Sequence, residues 1–219
     1  MPIFGVSQEF IFIEGHSVDA TYKECQRVIK AHSDKDIKLF HQRGEGKNDA
    51  VRLGFKKSSG DILMILDADL TVMPEDLVLF YEALRDDRGD FINGSRLVLP
   101  MEKSAMPLLN LLGNKLSASF FSWLLGQRFT DTLCGVKVMF RHDYESISQA
   151  RGYFGYLDPW GDFDLILGAA KRQLKITEIP VRYKRRRYGA PQIKRFQHTL
   201  MLLRMSFLAV WKIKFKRWL

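Results

Sequence analysis

Two carboxylates, Asp67 and Asp69, stand one residue apart directly behind an apolar run, Ile62-Leu63-Met64-Ile65-Leu66. A short apolar run after Gly60-Asp61 predicts a buried strand of an α/β sheet. Ligands of such sheets bind at the carboxyl ends of the strands. Acidic groups placed there are costly to desolvate unless a cation meets them, and a divalent metal carrying a diphosphate is such a cation. The competing reading is local: the two Asp residues open a turn and cap the helix that Pro74-Glu75-Asp76 begins.

Other residues could share in that chemistry. Glu14, in Glu14-Gly15-His16-Ser17, can accept hydrogen bonds from ribose hydroxyls or a base N–H; alternatively this is a loop in which Ser17 or Asp19 caps a helix. His16 reads as an exposed loop residue. Lys47 follows Gly44-Glu45-Gly46 at a helix start, where backbone N–H groups and an ammonium suit a phosphate, or it is a solvated lysine. Arg96, in Asn93-Gly94-Ser95-Arg96, offers a guanidinium fork, and Lys137 is a weaker candidate of the same type. In Asp131-Thr132-Leu133-Cys134-Gly135, Gly135 permits close backbone approach, while Cys134 reads as a small buried filler. Asp162 and Asp164 sit at the start of a helix, where the local reading is helix N-capping.

The elements that must hold these residues alternate. Strands are predicted at 9–13, 36–40, 62–67 and around 91–93, separated by helices from about 17 to 30, 49–57 and 74–84. This pattern predicts a largely parallel sheet with flanking helices. Beyond Pro107 come a long apolar helix at 108–125, a strand at 136–140, a helix at 164–172, strand structure within 174–183, and a last helix at 193–218 that mixes apolar and basic residues.

Six of these segments, in order and at compatible spacing, resemble the family 2 glycosyltransferases of GT-A fold, in the branch of the dolichol-phosphate sugar synthases. They are 14–21, 44–47, 67–69, 93–96, 131–137 and 161–165. The resemblance implies a Rossmann-like, mostly parallel α/β sheet flanked by helices, with a GT-A domain over 1–190 and a long basic amphipathic helix over 191–219. It implies an inverting, metal-dependent transfer of sugar from a nucleotide-diphosphate sugar to an acceptor such as a polyprenyl phosphate. Asp67 and Asp69 would hold Mg²⁺ or Mn²⁺, with Thr71 where many relatives carry a Gln. Glu14, Lys47, Asp67, Arg96, Asp131 and Arg187 would line the donor. Asp162 and Asp164 would be catalytic, with Asp162 as general base for a hydroxyl acceptor; a phosphate acceptor needs none. The run Lys184-Arg185-Arg186-Arg187-Tyr188-Gly189 corresponds to a phosphate-covering loop, with Gly189 as hinge, Pro191 and Gln192 replacing the usual Ser and Lys, and Arg186 or Arg187 with Lys194 as substitutes. Residues 1–8 hold nothing like the family's opening strand, which ends in Pro-x-Tyr/Arg-Asn-Glu, so the domain reads as N-terminally truncated. That omission supports an alternative, an inactive or partial GT-A module that binds a partner or a membrane.

Composition frames these expectations. The 219 residues carry a formal charge of +9 and 46% hydrophobic residues, enough for a sizeable core. Fifteen Lys or Arg and one acid, Glu178, fall within 171–219, which fits an anionic partner or a solvated basic face. No nucleic-acid motif accompanies this charge, so nucleic acid is not expected. Cys25 and Cys134, without metal-type spacing, predict a reducing compartment. The N-terminus does not resemble a signal peptide, and no stretch reaches the roughly 20 apolar residues that span a bilayer. Aromatic and basic residues mixed over 200–218 predict either peripheral contact with a membrane on its cytoplasmic face or a helix packed on the domain with its basic tip in water.

Overall fold

The computed structural model describes residues 1–149, 158, 160–187 and 195–211, with the side chains of 195–202 left aside. The chain runs β1 (Glu9–Glu14), α1 (Thr21–Ala31), β2 (Asp36–His41), α2 (Gly46–Lys57) and β3 (Ile62–Ile65). A 3₁₀ turn (Pro74–Asp76) leads into α3 (Leu77–Arg85), then β4 (Phe91–Ser95), α4 (Leu108–Leu125), β5 (Lys137–Phe140) and α5 (Arg141–Gln149). The last elements are α6 (Asp162–Lys171), β6 (Ile176–Pro180) and α7 (Arg195–Val210).

The strands form two sheets. β1 and β2 pair in parallel by themselves. The second sheet has the order β3-β5-β4-β6, in which β4 and β6 are parallel and β5 is antiparallel to both its neighbours. Thus β3, β4 and β6 point one way, as the α/β alternation predicts, and β5 is reversed. The reversal places the start of β5 at the exits of β3 and β4: Lys137 lies opposite both Ile65 and Asn93.

Side chains alternate across this sheet. Leu63, Ile65, Phe91 and Met139 face a core completed by Phe121 and Leu124 of α4, Phe163 and Ile166 of α6, and Met205 and Ala209 of α7. Ile62, Met64, Ile92 and Val138 face a second core closed by Leu77, Phe80 and Leu84 of α3. Helix α4 has the span read from the sequence. It begins after Pro107 and ends at Gly126, whose φ of 67° is the left-handed turn that a glycine closes without strain. The helix expected over 74–84 is split by its 3₁₀ first turn. α5 carries only Asp143, Tyr144 and Ile147 buried in nine residues, a sparse signal that periodicity does not reveal. The helix expected over 193–218 is described from Arg195 to Val210; Gly189, Pro191, Gln192, Lys194 and the residues after Trp211 lie outside the described residues.

The β1–β2 sheet is bound more loosely. No apolar side chain before Phe55 is buried, and no ladder joins β1 to β3. The Glu9 carboxylate spans the join, accepting from Ser59 N (2.5 Å), Gly60 N (2.8 Å) and Lys38 Nζ (2.8 Å). Burial opposes its charge, but these donors outweigh burial and bring its pKa from 4.5 to about 2. A depressed carboxylate stabilises fully above its unfolded pKa, and that contribution fades as pH falls from 4.5 toward 2. Glu9→Gln is expected to lower stability by about 2 kcal/mol at neutral pH. In urea titrations across pH, it should also flatten the acid limb seen in the parent.

Candidate active site

Four chain segments meet at one end of the four-stranded sheet. β3 runs out into Asp67 and Asp69, β4 into Arg96, and the segment 131–136 feeds the reversed β5. The N-terminus of α2 supplies Lys47, whose ammonium sits 2.8 Å from Asp67 Oδ1 and 3.0 Å from Oδ2. Burial alone would lower the Lys47 pKa, but the Asp162 and Asp67 charges overcome it and hold this group above the usual lysine range. Gly135 passes so close that a Cβ there would collide with both the Asp67 carboxylate and Lys47 Nζ. The close approach that a glycine permits is made here to two side chains, Asp67 and Lys47.

Asp69 Oδ1 accepts from Thr71 N (3.1 Å) and Thr71 Oγ1 (2.8 Å), so the turn reading of this motif is correct in part. Thr71 thereby braces Asp69. The other oxygen, Oδ2, is 2.5 Å from an Arg186 guanidinium nitrogen. Leu70 between them has φ of 54°, a strained conformation for a bulky residue of the kind that clusters at ligand sites. Arg187, expected at the donor, is exposed, and its neighbour Arg186 makes the contact.

Asp162 and Asp164 are both buried at the start of α6. Lys137, wholly buried, places its ammonium 2.6 Å from Asp162 Oδ1 and 2.5 Å from the Cys134 carbonyl. Asp164 Oδ2 lies 3.4 Å from Arg52. Neither Asp supplies the side-chain cap of α6. That work falls to Asp158, whose Oδ2 accepts from Phe163 N (2.7 Å) and Asp164 N (3.0 Å), and whose Oδ1 accepts from Trp160 N. Burial, with the nearby Asp162 charge, raises the Asp158 pKa to about 6. Sequence reasoning passed over Asp158, although an Asp-Pro pair four residues before a helix signals a turn with acceptors to offer.

Arg96 does not point at solvent. Its Nε and a terminal nitrogen grip Asp131 at 2.6 and 2.9 Å, its backbone N donates to the same carboxylate, and the guanidinium stacks 5.2 Å from the Tyr183 ring. Burial opposes the Asp131 charge, but Arg96 overrides it and keeps the carboxyl below its usual range. Glu178 of β6, another residue missed from sequence, fixes this loop by accepting from Thr130 N, Thr130 Oγ1 and Asp131 N. Glu14 is buried and occupied: it accepts from Ser17 N and lies 2.7 Å from His41 Nδ1. The Ser17 hydrogen bonds hold it below the usual carboxylate range. Cys134 is the buried filler expected, its thiol pushed up to about 11 by burial.

The donor set fits a hard divalent cation. Mg²⁺ is commonly held by one or two carboxylates, with phosphate oxygens and waters completing its shell. Asp67 and Asp69 provide two carboxylates, and no group of three or more metal-binding side chains occurs among the described residues. Lys47 and Arg186 now supply the positive charge that such a cation would bring.

Comparison with known proteins identifies relatives of this chain. The chain is 27% identical over 187 residues to the UDP-N-acetylglucosamine–dolichyl-phosphate N-acetylglucosaminyltransferase of Methanococcus voltae, covering 78% of this chain and 73% of that protein. It is 32% identical over 94 residues to the dolichol-phosphate mannosyltransferase of Pyrococcus furiosus, covering 43% and 26%. In fold it resembles the Mycobacterium tuberculosis glucosyl-3-phosphoglycerate synthase solved with Mn²⁺, UDP and glucosyl-3-phosphoglycerate. The TM-score is 0.60 at 15% identity, over 94% of this chain and 69% of that one. The sheet edge, its paired carboxylates and the loop behind them all lie within residues 7–147, the stretch matched by the model of glycosyl transferase family 2, and the chain belongs to that family.

Proposed function

We propose that this chain moves a sugar from a nucleotide-diphosphate sugar to a lipid-phosphate acceptor in one inverting, divalent-metal-dependent step. The observation that carries this reading is the Asp67/Asp69 pair at the exit of β3, packed against Gly135 and Lys47. Asp67 and Asp69 would hold Mg²⁺ or Mn²⁺, which when bound neutralises the diphosphate leaving group. Lys47 adds a second positive charge beside the same oxygens. Asp131 keeps the Arg96 guanidinium fixed at the donor edge. Asp162, held by Lys137, faces the acceptor; a lipid phosphate is already anionic, so Asp162 then orients it instead of taking its proton. The names of the relatives from M. voltae and P. furiosus, both dolichyl-phosphate transferases, support the lipid acceptor. Peripheral membrane contact through 200–218 and a place on the cytoplasmic face belong to the same reading. No described helix is long and apolar enough to cross a membrane.

A second reading, a binding module without turnover, is favoured by the neutralisation of both carboxylates by Lys47 and Arg186. Calorimetry with UDP and UDP-sugars, with and without Mn²⁺, separates the two. Metal-dependent nucleotide binding, followed by transfer to a polyprenyl phosphate, is the expected result. Absence of binding with the metal present would overturn the transferase reading.

A further inference from the structure

Helix α4 packs one face into the core through Ala118, Phe121 and Leu124. Its other face carries Leu108, Leu109, Leu112, Leu116 and Trp123, each at least 50% exposed. Leu108, Leu112 and Leu116 recur every four residues and so form one stripe along the helix. α7 shows the same pattern: Met205 and Ala209 are buried, while Leu203, Phe207 and Trp211 are exposed at the same spacing. An apolar surface of this kind on a folded domain marks an interaction site.

The charge around it identifies the partner. No acidic residue occurs anywhere in 103–130, and none occurs in α7. Lys103 and Arg128 flank α4 in sequence, Lys115 lies on it and Arg204 on α7, and all four are exposed. Two copies of such a face would bring like charges together, which disfavours self-association. An anionic bilayer meets both features, with leucine and tryptophan in the interface and Lys and Arg at the headgroups. α4 also carries the site: Ser117 Oγ lies 2.9 Å from Thr132 Oγ1, and Ser122 Oγ accepts from Phe129 N. The loop bearing Asp131 therefore hangs from the helix whose opposite face is apolar.

We infer that the outward face of α4, assisted by that of α7, seats this domain on an anionic lipid surface and so sets the site at the depth of a lipid-borne phosphate. The inference rests on the membrane contact proposed above and moves its centre from 200–218 to α4.

The test is cosedimentation with phosphatidylcholine vesicles and with vesicles enriched in phosphatidylglycerol. The full chain is compared with Leu112→Glu/Leu116→Glu and with Leu203→Glu/Phe207→Glu; all four positions are solvent-facing, so the variants should keep the parent's circular dichroism. The parent should bind the anionic vesicles more tightly, and the α4 variant should lose that binding by about tenfold or more. Parent-like vesicle binding by the folded α4 variant would overturn the assignment. So would a parent dimer, seen by sedimentation, that the same variant dissolves while vesicles go unbound. UDP–Mn²⁺ calorimetry on the same samples keeps the two proposals apart: vesicle binding without nucleotide binding removes the proposed function and leaves the docking face.

Discussion

Asp69→Asn should lower sugar transfer by about 10³-fold, the several kcal/mol that a metal contributes at a charged leaving group. It should also abolish the Mn²⁺ dependence of UDP binding. The substitution keeps Oδ1, so the hydrogen bonds from Thr71 N and Thr71 Oγ1 survive and the turn with left-handed Leu70 stays in place. What disappears is the negative charge facing Arg186. Arg186 is partly exposed, and ion pairs of that kind contribute about 0–1 kcal/mol. The variant should therefore unfold in urea almost where the parent does. Activity and stability separate cleanly only if Asp69 serves a ligand. Unaltered transfer and cation affinity, measured by steady-state assay and calorimetry, would remove the metal from this site.

The second large effect is on the fold itself. Lys137→Met should destabilise the protein by about 3–5 kcal/mol, because it leaves the buried Asp162 charge without its partner. Lys137 is among the largest fully buried side chains, and its ammonium also donates to the Cys134 carbonyl. Methionine fills a similar volume, so the loss is electrostatic more than steric. The double variant Lys137→Met/Asp162→Asn removes the stranded charge and should regain much of the loss. Urea midpoints of the two single variants and the double variant give the coupling energy directly. A coupling below about 0.5 kcal/mol would mean that the pair does not hold the entrance to β5 against the start of α6.

These two sites also show what the sequence reveals and what it conceals. Asp67, Asp69, Lys47, Arg96, Asp131 and Asp162 are recognisable by type and spacing, and the fold brings them to one sheet edge. α4 is legible to the residue because Pro107 and Gly126 bracket a helix-length, predominantly apolar stretch. The reversed direction of β5 is not legible, because alternation in sequence carries no sign for strand direction. Yet that reversal is what sets Lys137 opposite Ile65 and Asn93. Asp158 and Glu178 also escape notice. The Glu178 carboxylate serves backbone N–H groups nearly fifty residues away, a pairing that exists only after folding, whereas Asp158 acts locally on the start of α6 and carries only the weak signal of its Asp-Pro pair. Within the run Lys184-Arg185-Arg186-Arg187 nothing distinguishes one arginine from the next; the path of the chain past Asp69 selects Arg186.

The separateness of the β1–β2 sheet reaches further than its architecture. Its ladder is its own, its apolar side chains enter neither core, and the Glu9 carboxylate stitches it to Ser59 and Gly60. Such a lobe forms a cooperative unit that opens at a lower free energy than the rest of the molecule. Glu14 rides on that lobe and Lys47 follows directly behind it, so the wall that carries them can open more readily than the strand β3 that leads to Asp67 and Asp69.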